Sequence, residues 1–71
     1  MGLATTSALV VLYGMKDDKD VNKLVNVVVA GRELLALADA EIVDWLKGAV
    51  AVVIGQKSTD VQAKALAPLA K

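Results

Sequence analysis

The chain has no histidine, no cysteine and no phenylalanine, and only one tryptophan, one tyrosine and one proline. Each absence excludes a class of chemistry. Without cysteine there is no disulfide staple, and without cysteine or histidine there is no zinc cluster. A Ser-His or Cys-His nucleophile pair cannot be assembled. No charge of either sign dominates: eight basic residues balance eight acidic ones. Nucleic-acid binders usually carry a basic patch or stripe. Here the cations are scattered along the chain, from Lys16 to Lys71, as a solvated surface scatters them. The expectations are therefore a non-enzymatic protein with no cofactor, no metal and no nucleic-acid partner.

No run is long enough to cross a membrane, which takes about 20 consecutive apolar residues. The longest uncharged stretch, Met1 to Met15, is interrupted by Thr5, Thr6, Ser7 and Gly14. No basic residue precedes it, as a signal peptide would require. A cytoplasmic location is expected by default.

What is present is small apolar side chains. The hydrophobic share of the 71 residues is 56%, nearly all Val, Ala and Leu. A chain this short makes one domain, and it buries only about 60% of the surface that its unfolded form exposes. The apolar surplus points to an oligomer or a bound protein partner.

The spacing predicts a small all-α domain over residues 1–71, with three or four helices near residues 5–15, 20–38, 40–54 and 59–69. Thr5 to Ser7 can cap the first helix. The charged cluster Lys16 to Asp20 reads as a linker whose last residue, Asp20, caps the second. From Val21, steps of three and four pass through Leu24, Val28, Gly31, Leu35, Ala38, Ile42, Trp45, Ala49 and Val52, all apolar or small. A single helix along this stripe would be about 50 Å long at 1.5 Å per residue. A break is expected at Asp39, where acidic residues suit a first turn. Ser58 or Thr59 caps the last helix, with Asp60 and Lys64 as an i,i+4 pair.

Many apolar residues lie off the stripe, among them Val27, Leu34, Leu37, Val43 and Leu46. A helix with one buried face would not carry them. The interface residues expected from this are Val28, Leu35, Leu37, Ile42, Trp45 and Leu46. Trp45, the largest apolar side chain, is expected to be buried.

Several motif fragments fall short. Asp18-x-Asp20-x-Asn22 begins like a calcium loop, but Lys23 and Val29 stand where glycine and glutamate are needed. Gly55-Gln56-Lys57-Ser58 has a glutamine between the glycine and lysine of a phosphate loop. Asp39, Glu41 and Asp44 read as a helix start plus a solvated face.

Two alternatives stand beside the helical reading. Leu24 to Ala30 and Ala49 to Ile54 are rich in β-branched valine and read also as strands. Val27 to Ala36 (VVVAGRELLA) resembles the β-hairpin turn region of the gas vesicle shell protein, over about ten residues. That resemblance implies a self-assembling α+β shell subunit. The other alternative is a membrane-associated small protein using Leu3 to Met15 and Ala49 to Ile54. Against it, interfacial helices usually carry lysine and arginine along the polar face, and these segments do not.

Overall fold

A computed structural model describes residues 2–70. The described residues form four α-helices: α1 (Leu3–Tyr13), α2 (Lys19–Glu33), α3 (Asp39–Ala49) and α4 (Thr59–Leu69). A π-helical turn, Val50–Ile54, continues α3 without a break. Among the described residues there is no strand. The all-α expectation holds and the α+β alternative does not. Both valine-rich segments are helical, and the stretch resembling a shell-protein hairpin is the second half of α2 followed by a loop. β-Branched residues disfavour helix only weakly, so packing decides.

Capping side chains mark the starts of α2 and α4, whereas α1 follows Gly2 and α3 follows Ala38 with no side-chain cap. Asp18, not Asp20, caps α2: its carboxylate accepts from the backbone N–H groups of Asp20 and Val21 at 2.9 and 3.2 Å. Ser58 caps α4 by accepting from Val61 N–H at 3.2 Å. Asp39 opens α3, as expected for the break. Its carboxylate accepts from Gly2 N–H at 3.2 Å and lies 3.5 Å from Arg32 Nε, a contact too long for a good hydrogen bond. The chain between α2 and α3 needs Ala36 at φ 51°, left-handed backbone that an alanine adopts at a cost.

The core gathers Leu9 and Leu12 of α1, Val21, Leu24 and Val28 of α2, Ile42 and Leu46 of α3, Val50 and Ile54 of the π turn, and Leu69 of α4. The fully buried Thr5 also faces it, with no hydrogen-bond partner for its hydroxyl. Along α3 the buried row is Ile42, Leu46, Val50 and Ile54, a uniform step of four. In an α-helix each such step turns about 40° further round the axis. The wider π turn takes that drift back, so Val50 and Ile54 both stay over the core. It is closed by Gly55 N–H donating to Val50 C=O at 3.1 Å.

This geometry corrects the sequence stripe. In α2 its members Val21, Leu24, Val28 and Gly31 are buried, as drawn. Beyond Gly31 the stripe meets the core only at Ile42: Leu35 is 70% exposed, Trp45 47% and Val52 60%. Trp45 is not a core residue; Leu46, one position later, is completely buried.

Candidate interaction surface

α2 and α3 pack as an antiparallel pair, so the start of α2 lies beside the end of α3. Leu24 and Val27 share one depression with Trp45, Ala49 and Val53, a cavity of about 320 Å³. Gly31 and Val28 share a second with Leu35, Leu37 and Ile42, of about 180 Å³. Both are also lined by Val27 and Trp45, which makes them one cleft running along the helix pair.

Helical register explains why the cleft lies open. On α3, Glu41, Trp45 and Gly48 recur at steps of four and three on a row that flanks the buried Ile42 and Leu46. On α2, Lys23 and Val27, and Leu34 just past its end, lie opposite Val21 and Val25.

The six expected interface residues divide. Leu35 and Trp45 are exposed on the cleft and Leu37 is half-buried in it. Val28 and Ile42 are buried and form its floor. Leu46 faces the core and is not among the residues lining the cleft. The expected set lacks Val27 and Lys23, which also line the cleft. Val27 is visible in the sequence as an apolar residue off the stripe. Lys23 carries no signal until α3 is placed against α2.

Charged groups gather at one end. Lys57 reaches back from the turn before α4 and pairs with Asp18 at 3.0 Å and Asp20 at 3.1 Å. The hydrogen bond from Lys57, followed by that from Val21 N–H, holds the Asp18 carboxyl below its ordinary pKa, against a small opposing effect of burial. The same contacts, Asp18 first and then Asp20, raise the Lys57 ammonium. The residues that began like a calcium loop thus serve a helix cap and an ion pair. Gly55 to Ser58 form a turn and a cap, with Gln62 Nε2 donating to Ala51 C=O at 3.2 Å across it. Asp60 and Lys64 pair at 3.1 Å, as expected.

Among the described residues no three carboxylates gather within reach of one metal ion, and no helix is long and apolar enough to cross a membrane. The cleft can therefore exclude water and supply dispersion contacts, with one aromatic anchor at its middle. No family model matches the chain, and neither a curated protein nor a solved structure is significantly similar to it.

Proposed function

We propose that this protein is a non-enzymatic interaction module whose α2–α3 face docks an apolar protein surface, either a second copy of itself or another protein. One observation carries the reading: the only tryptophan stands half-exposed at the middle of an apolar cleft, when the core beneath is filled by smaller side chains. Tryptophan is enriched among the anchors that dominate binding energy, and such anchors sit near the centre of an interface. Leu34 and Leu35, 81% and 70% exposed at one end of the face, extend the apolar surface. Contiguous exposed apolar area of this kind marks interaction sites on small proteins.

Sedimentation equilibrium tests the proposal, with the wild type measured alone and together with proteins of the cell that makes it, beside Trp45→Asp. The wild type should sediment heavier than its 7.4 kDa monomer. Trp45→Asp should stay monomeric while keeping its helical circular dichroism, because an unpaired charge would lie in the contact. A wild type that remains a stable monomer in both settings defeats the reading.

A further inference from the structure

We infer that the connection between α2 and α3 is a hinge that opens: the two helices run together into one, and the α3–α4 half of the chain exchanges with the same half of a second copy. The turn itself carries this. Leu34-Leu35-Ala36-Leu37-Ala38 includes none of the glycine, proline, asparagine, aspartate or serine that turns are built from. Leucine and alanine are instead among the best helix formers. Ala36 stands at φ 51°, in the left-handed backbone that a helix end usually gives to glycine. No side chain caps the start of α3. Among the described residues, Leu37 is the only one from Leu35 to Glu41 whose N–H finds a backbone acceptor, Gly31 C=O at 3.3 Å. Leu34 and Leu35 stand open to water. In a straight helix each of these donors meets the carbonyl four residues back, and Ala36 returns to right-handed backbone. The spacing already fits that helix: Gly31, Leu35, Ala38 and Ile42 keep steps of four, three and four through the turn.

Opening need not cost the core. α1 packs on α4, and α2 on α3 and the π turn, so the contacts across the hinge join the first half of the chain to the second. A second copy offers the same contacts from its own half. Each interface is then kept, and only the chain that supplies it changes. The Lys57 ion pairs with Asp18 and Asp20 cross the same division, and in the exchanged dimer they pass between chains. Short hinges under strain invite such exchange. The opened helix, from Lys19 to Ile54, is about 50 Å long. A second chain gives it the packing that a lone extended helix lacks. The hinge thus makes a dimer from contacts that the monomer already has, whatever docks on the cleft.

Refolding of the full chain at high concentration tests the hinge, with unlabelled and heavy-nitrogen chains mixed in equal amounts. A carbodiimide then condenses the Lys57 amine with the Asp18 or Asp20 carboxylate, forming an amide with loss of water. In a dimer made by exchange, about half of these cross-links should join a labelled chain to an unlabelled one, as random pairing requires. Ala36→Gly should lower the association constant about a hundredfold or more, because glycine relieves the left-handed turn and weakens the straight helix at both hinges. Trp45→Asp should leave the mixed cross-links unchanged, because a contact on the cleft is not what joins the two chains. A dimer whose Lys57 cross-links all lie within single chains overturns the exchange and leaves the docking face standing. A chain that refolds only to monomer at every concentration also overturns it. Mixed dimers that Ala36→Gly leaves equally abundant overturn the hinge at Ala36.

Discussion

α2 and α3 carry apolar patterns of similar quality, yet only in α2 does the pattern on paper coincide with the core. In α2 the steps of three and four land on Val21, Leu24, Val28 and Gly31, all buried. In α3 the same steps land on Ile42, Trp45 and Ala49, while the core takes Ile42, Leu46 and Val50. The difference teaches that a stripe has a phase as well as a period. α2 has charged and amide residues (Lys19, Asn22, Lys23, Asn26) that forbid the wrong face. α3 has apolar residues at both 45 and 46, so neither side of the pair is forbidden. Burial of Leu46 leaves Trp45 at the boundary, half-exposed on the cleft.

The strongest way to break this comparison is to truncate both neighbours. Leu46→Ala should cost about 2–5 kcal/mol in chemical denaturation, as for other buried leucines. Trp45→Ala should cost less than about 1 kcal/mol when measured on the monomer, far below a buried tryptophan. Equal costs would return Trp45 to the core and void the register described for α3.

Two glycines sharpen the contrast between the faces of this segment. A Cβ at Gly55 would lie 2.5 Å from Ala51 C=O and 2.7 Å from Gln62 Nε2. Gly55→Ala should therefore destabilise by about 1–3 kcal/mol, the cost of overpacking. A Cβ at Gly48 meets nothing, so Gly48→Ala should stabilise the fold by about 1 kcal/mol through helix propensity. Thermal unfolding of the two variants should move in opposite directions. Movement in the same direction would mean that the π turn is not closed as described.

The smallest effect concerns the contact joining the start of α2 to the turn before α4. Asp18 titrates below its unfolded value, so its contribution to stability is present above about pH 4 and is lost as pH falls through the lowered folded value. Lys57 titrates above its unfolded value, so its contribution is complete below about pH 10 and is lost as pH rises through the raised folded value. Both side chains remain in part open to solvent, so the expected change is slight. Lys57→Met should flatten the acid limb of a stability-against-pH curve; an unchanged acid limb would show that Asp18 acts through its backbone cap alone.

Local signals accounted for much of the fold. Thr59 to Leu69 was legible because Ser58, Asp60 and Lys64 supply a cap and an i,i+4 pair within one segment. The break at Asp39 was legible from its acidic first turn. The cap of α2 was misplaced by two residues, from Asp18 to Asp20, because both aspartates suit the role. Only the contact with Lys57, distant in the chain, engages both carboxylates at once. Of the candidate surface, Leu35 and Trp45 were legible as apolar residues but not as exposed ones.

By itself the amino-acid sequence determined that this protein is helical, free of cysteine and histidine chemistry, and richer in apolar residues than one small domain readily hides. Those properties follow from side-chain type and from spacing along the chain. Tertiary structure alone decided which apolar residues are hidden. Opposite Leu46 the neighbouring helices close, and opposite Trp45 they leave a cleft. The π turn at Val50–Ile54 then holds that register, because its extra width keeps Val50 and Ile54 over the core together. Periodicity sets the shape of a helix, but the phase of its buried face depends on contacts between residues distant in the chain.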